Sequence, residues 1–174
     1  MKTLGKIVAG ILVCLVLVLL VLRITGLEPR GCSNIYESWT CRLPGLWLKG
    51  DLVTTPVTDW SFTDKIPTVK LQTRTWYLLP HSVTINCVSA NGQLYLSTGI
   101  PAGMQYPHDR IWHANVARDP HVRLKVRNQL YDRTLSLVTD PAEKAAVLQA
   151  KAKKYPQMRV SPKNTVVVFH VTSD

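Results

Sequence analysis

The chain opens on an unbroken apolar run, Ile7 to Leu22 (IVAGILVCLVLVLLVL), flanked by Lys6 and Arg23. With Leu4, Gly5 and Ile24 it approaches the roughly 20 residues that carry a helix across about 30 Å of hydrocarbon. A helix is the expected form, because lipid offers no partner to a free backbone N–H or C=O. From Gly26 to Pro56 no period of 2 or 3.6 is sustained, and Pro29, Gly31, Pro44, Gly45, Gly50 and Pro56 interrupt the chain. Trp39, Leu43, Leu46, Trp47 and Leu48 are nevertheless too apolar for a free linker. They predict an arm lying on the following domain or in the membrane interface, where Trp is favoured.

After Pro67 the alternation becomes regular. Thr68 to Tyr77 (TVKLQTRTWY) and Ser82 to Ser89 (SVTINCVS) read as strands, and Asn91-Gly92 turns the second into Leu94 to Ser97 (LYLS). An Asn-Gly pair between alternating runs is a strong hairpin signal. Gly99 to Pro107 reads as a loop, with Asp109 as N-cap of a short helix through Ile111, Trp112, Asn115 and Val116 that stops at Asp119-Pro120. His121 to Arg127 and Leu130 to Val138 form a second hairpin about Asn128-Gln129. Thr139 or Asp140 then caps a helix with Pro141 in its first turn, running to about Tyr155. Ala145, Val147, Leu148 and Ala152 are expected inside it, and Lys144, Lys151, Lys153 and Lys154 in water. Thr165 to Thr172 (TVVVFHVT) is a β-branched last strand.

Six strands in mostly antiparallel hairpins with two helices predict a mainly β (α+β) fold that closes into a small barrel. The division expected is 1–25 as transmembrane anchor, 26–66 as linker and packed arm, and 67–174 as barrel domain. A length of 174 residues leaves room for one core.

Charge orients the anchor. The N-terminal amine, Lys2 and Lys6 precede the helix without any acid, whereas Arg23 and Arg30 follow it together with Glu28. Positive flanks stay in the cytoplasm, so the domain is expected outside the inner membrane, in the periplasm, on a single-pass anchor from Leu4 to Ile24. A cleaved secretory signal is the alternative. The length of the run and the lack of an A-x-A site after Arg23 weigh against it. An oxidising compartment would let Cys32 and Cys41 pair, two unpaired thiols being the other reading.

The net charge of +10 changes the picture only where it clusters. Arg123, Lys125 and Arg127 alternate along one strand, so their side chains share a face able to grip phosphate, or merely a solvated one. Nucleic acid is not the expected partner, because no aromatic platform accompanies these charges. Phosphate-loop, H-E-x-x-H, G-x-S-x-G and C-x-x-C motifs are all missing, which disfavours a nucleotide triphosphatase, a zinc protease and a thioredoxin-like redox site. The five histidines are scattered, and no metal site is expected from them.

The order of elements, with Trp112 and Asn115 on a short helix leading into Asp119-Pro120-His121-Val122-Arg123-Leu124-Lys125-Val126, resembles the FMN-binding split barrels related to pyridoxamine 5'-phosphate oxidase. Within them it looks closest to the deazaflavin-dependent nitroreductases and quinone reductases. The resemblance spans about Pro67 to Val171 and implies a six-stranded antiparallel split barrel, a homodimer, and FMN or a related flavin or deazaflavin, with haem as a minor alternative through His81, His113 or His170. It also implies a small electron acceptor such as a quinone or nitro compound. Carried over residue by residue, it implies cofactor contacts from Arg74, Thr75, Ser82, Thr84, Ser97, Thr98, Gly99, Trp112, Asn115, Lys125 and Arg127. It leaves the catalytic side chains unassigned, since the flavin ring carries the hydride and needs little from side chains. The family's Gly-Arg-x-Ser/Thr-Gly phosphate signature is absent before the first strand. A barrel acting as a non-enzymatic binding or scaffold module is the other reading.

Overall fold

The computed structural model describes residues 2–30, 40, 43–158 and 165–173; the expected Cys32–Cys41 pairing concerns residues outside these. Helix α1 (Lys2–Thr25) is long and apolar enough to cross a membrane. Its span Thr3–Thr25 has a mean hydropathy of 3.2, and none of it is buried against the rest of the protein.

The strands are β1 (Asp51–Leu52), β2 (Thr68–Arg74), β3 (Pro80–Ala90), β4 (Gln93–Ile100), β5 (His121–Val126), β6 (Gln129–Leu137) and β7 (Thr165–Thr172), with α2 (Ile111–Arg118) and α3 (Pro141–Lys154) between them. The sheet order is β1-β6-β5-β2-β3-β4-β7, and β6 also pairs with β7. Leu135 lies opposite Val171 and Leu137 opposite Phe169, which closes six antiparallel strands into the expected barrel. Closure removes the exposed sheet edges that would otherwise invite pairing with other chains. The two-residue β1, which the sequence pattern does not show, adds in parallel to β6.

Alternation sorts the side chains. Leu71, Leu94, Leu96, Leu124 and Phe169 point inward and are fully buried. Trp112 and Val116 of α2 pack into the same interior. Outside, Val88, Tyr95, Val138, Val168 and Tyr155 form a second cluster with Val147 of α3. One part of the outer wall is thus roofed by α3, and its β2–β3–β5 part is left for another element.

Local chemistry explains the connections. Asn91 (φ 53°) and Gly92 (φ 74°) both take the left-handed conformation that a two-residue hairpin turn requires. Asp140 caps α3 by accepting a 2.7 Å hydrogen bond from the Glu143 N–H.

Several expectations are corrected. The first strand ends at Arg74, and Trp76 to Leu78 form a turn; β4 runs on through Thr98 and Gly99 to Ile100. Asp109 is not the cap of α2, which begins after Arg110. Its carboxylate is instead buried against His113 Nδ1 at 2.5 Å. Arg127 lies beyond β5 in the turn, at φ 56°. Lys151 is buried, while Ala145 and Ala152 are exposed. Lys154 Nζ is likewise engaged, donating to the Thr63 and Cys87 carbonyls at 2.8 Å. The charged face of α3 is therefore turned by a residue or two from the one its lysines suggest, since Tyr155 anchors it through hydrogen bonds to the Pro67 and Cys87 carbonyls.

Asp140→Ala removes the cap and is expected to cost about 1 kcal/mol, whereas Leu124→Ala opens a cavity beneath the sheet and costs about 2–5 kcal/mol. Thermal melts followed by circular dichroism check both, and equal losses would contradict this account of where stability resides.

Candidate functional site

The uncovered outer wall is built from cross-strand rows. Register places Gln72 beside Ser82 and Arg123, and Lys70 beside Thr84 and Lys125. Arg123 in turn lies opposite Asp132. These positions alternate with the buried Leu71, Val122 and Leu124, so the polar set faces outward.

The arm lies on this wall. Gly45 pairs with Ser82 through two main-chain hydrogen bonds of 2.8 and 2.9 Å, and the Leu48 N–H donates to Gln72 Oε1 at 2.7 Å. A second layer crosses above, with Leu27 bonded to Trp47 and Leu46. The layers meet so closely at Gly45 that a Cβ there would lie 2.4 Å from the Leu27 carbonyl oxygen. Leu48 of the arm is buried.

One residue of the arm sits at the centre of the cations. Glu28 accepts from Lys70 Nζ and Lys125 Nζ, each at 2.6 Å, and from the Lys49 N–H at 2.8 Å. Burial pushes its carboxyl up, but the bonds from Lys125, Lys70 and Lys49 outweigh this and bring the pKa from 4.5 down to about 2. Arg123 is also engaged, in a two-point ion pair with Asp132 at 2.7 and 2.8 Å that holds the Asp132 carboxyl below its usual range.

At the Arg74 end of the same wall, beside the arm, a cleft of about 520 Å³ is lined by Trp47, Gln72, Arg74, Thr75, Trp76, Leu78, Pro80, Arg118 and Asp119. It falls in the range of small-molecule sites, roughly 300–1,000 Å³. Arg74 is largely exposed and pairs with Asp119 at 3.4 Å. Burial raises the Asp119 carboxyl, but His121 and Arg74 hold it below its ordinary value. Arg118 donates to the Arg74 carbonyl. Two guanidinium groups thus share the cleft with one carboxylate, beside tryptophan walls.

The residues singled out from the sequence divide accordingly. Arg74 and Thr75 line the cleft. Ser82 and Thr84 lie on the wall beneath the arm: Ser82 Oγ is buried with no hydrogen-bond partner among the described residues, and Thr84 donates to the Arg30 carbonyl at 2.9 Å. Lys125 is clamped on Glu28, and Arg127 sits at the far end of β5 from the cleft. Ser97, Thr98 and Gly99 are paired with β7 and do not line the cleft. Trp112 is buried against Phe169, and Asn115 donates to Thr73 Oγ1 at 3.0 Å inside the fold.

Glu28, Lys70, Gln72, Trp76 and Arg118 are absent from the set named from the sequence. Lys70, Gln72 and Arg74 do alternate on one strand, a signal equal to that of Arg123 and Lys125. The histidines suggested for haem do not converge. His113 is fully buried on Asp109, His170 stacks on Tyr95 at 4.8 Å, and His81 lies on the inward side of β3, where burial lowers its pKa.

Tested against a flavin or deazaflavin, the two parts of the wall answer differently. The cleft offers cations for an anionic tail and flat walls for a ring, which fits. The Lys70–Lys125 pair does not fit while Glu28 fills it.

No family model matches the sequence, and no curated protein is significantly similar to it. Among solved structures the chain is similar to an F420-H2-dependent reductase at 20% identity, covering 61% of this chain and 94% of that one with a TM-score of 0.45. It is similar to a NimC/NimA family protein from Clostridium acetobutylicum at 13% identity, over 61% and 73% of the two chains with a TM-score of 0.45. It is also similar to a haem-storage protein from Vibrio cholerae at 12% identity, over 66% and 86% with a TM-score of 0.44. These are likenesses of fold, and the site must be read from its own residues.

Glu28→Gln leaves two lysines without their counter-charge and is expected to destabilise the arm by about 2 kcal/mol. In the wild type the ion-pair contribution is complete above pH 4.5 and is lost as pH falls towards about 2. Hydrogen exchange across residues 43–50 checks this. Protection should drop over that pH window in the wild type and be low at every pH in the variant.

Proposed function

We propose that the chain is a membrane-anchored split-barrel oxidoreductase that binds FMN or a deazaflavin in the cleft and reduces a small acceptor such as a quinone or nitro compound. The observation that carries the reading is the cleft itself, where Arg74 and Arg118 meet Trp47 and Trp76 on the outer wall of a closed barrel. The chemistry such a group supplies when bound is hydride transfer. Arg74 and Arg118 hold its anionic tail by charge-assisted hydrogen bonds. Asp119 pairs with the Arg74 guanidinium at 3.4 Å and so helps to orient it. Trp47 and Trp76 offer flat faces beside which the ring would lie. No acid or base pair is required of the protein for hydride transfer through such a ring.

The anchor reading rests on α1, whose apolar surface is satisfied only by lipid or by removal of the segment. The cytoplasmic N-terminus and periplasmic domain follow from the flanking charges. A homodimer follows from the family resemblance.

A second reading, a binding or scaffold module without a cofactor, is favoured by Glu28, which occupies the cation pair with the protein's own carboxylate.

The absorbance spectrum of the detergent-solubilised protein, alone and titrated with FMN, deazaflavin and haem, separates these. Flavin or deazaflavin binding that weakens roughly 10-fold in Arg74→Ala, equivalent to about 1.4 kcal/mol, and is unaltered in Arg127→Ala supports the cleft. A Soret band points to haem. A colourless protein that ignores all three ligands leaves the scaffold reading.

A further inference from the structure

The turn between β2 and β3 exposes three consecutive large apolar side chains. Trp76 is 80% exposed, Tyr77 49% and Leu78 93%. The turn is built rather than loose: the Thr75 hydroxyl donates to the Leu79 carbonyl, the Leu78 N–H donates to the Thr75 carbonyl at 3.4 Å, and the Trp76 and Tyr77 rings pack edge to face at 5.3 Å. Leu78 holds φ 68°, a region that L-residues with large side chains rarely occupy. A backbone cost is thus accepted in order to present an aliphatic side chain outward. Arg74 and Arg118 flank the turn in the cleft.

The tether says what covers it. α1 ends at Thr25, and Glu28 is already fixed to Lys70 and Lys125. Three residue steps reach at most about 10 Å, so a bilayer holding α1 lies against this side of the barrel. Leu27, 45% exposed, donates its N–H to the Trp47 carbonyl, and Trp47 lines the cleft together with Trp76 and Leu78. The exposed apolar residues are therefore continuous with the point where the helix leaves the membrane.

We infer that the Trp76-Tyr77-Leu78 turn is a second membrane contact, seated in the interfacial layer of the same bilayer that holds α1. Aromatic rings favour that layer, where one end of the side chain is apolar and the other wet. The cleft mouth then faces the lipid, and a ligand reaches it from the bilayer. This rests on the anchor reading but on no cofactor.

The test uses the full chain in nanodiscs of phosphatidylcholine and phosphatidylglycerol carrying bromines either near the headgroup or at the acyl terminus, with Trp76→Phe alongside the wild type. The difference spectrum isolates one tryptophan of five. Its emission is expected to be blue-shifted, quenched strongly by the shallow bromines and weakly by the deep ones, and sheltered from aqueous iodide. Quenching by iodide alone overturns the inference, because the turn then faces water. Shielding from iodide and both lipids, with cross-linked pairs, overturns it in favour of a second copy. A chain that fails to remain with the nanodisc overturns the anchor and this inference together. None of these outcomes depends on whether flavin binds, so failure of the oxidoreductase reading remains distinguishable.

Discussion

Glu28 stands between two lysines that the barrel would otherwise turn outward side by side. Lys70 and Lys125 face each other across β2 and β5, a like-charge pair that costs energy wherever water is partly excluded. The carboxylate placed between them turns that cost into an attraction. It also fixes the position of everything on either side of it in the chain. The arm is held through Gly45, Leu48 and Lys49, and the helix that precedes Glu28 has only Gly26 and Leu27 with which to depart. One ion cluster thus couples the end of α1, the arm and the wall.

That coupling depends on a closed barrel. Because β6 meets both β5 and β7, every strand has an inside and an outside, and the outside divides into areas with separate roofs. α3 covers the apolar area around Val88, Tyr95 and Val168, where Tyr95 also donates to Glu143 and is pushed up to about 12 by burial and that carboxylate. The arm covers the polar area. The cleft exists where neither roof reaches, at the end of β2, with side chains delivered from the arm, β2, the turn after it and the end of α2.

The barrel was readable because period 2 is enforced by burial. Leu71, Leu124 and Phe169 could occupy only inward positions, and Asn91-Gly92 fixed one hairpin. The site was less readable because its residues converge from afar. Arg118 ends a helix and reaches the Arg74 carbonyl, and nothing in its neighbours reveals that partner. Glu28 appeared only as a charge beside the anchor, since a contact 97 residues away from Lys125 has no local signature. Arg127 was misplaced on the strand face because alternation continues one residue past the point where the turn takes over. Lys151 was expected in water because charge is a weaker guide to a helix's orientation than the bolt formed by Tyr155.

The same geometry sets the two cation pairs of this wall apart. Both the lysine pair and the arginine pair are cationic, and from charge alone neither has precedence. Glu28, however, belongs to the same chain, so it competes for the lysines at the effective concentration of a short tether, in the millimolar range or above. A phosphate from solution must displace it and strip Gly45 and Leu48 from their partners as well. Arg74 and Arg118 face no such competitor, because Asp119 answers only one of the two charges and the cleft is open above them. The lysines are therefore held by the arm while the arginines stay open to solvent, a difference that arises from chain connectivity rather than from the chemistry of the cations.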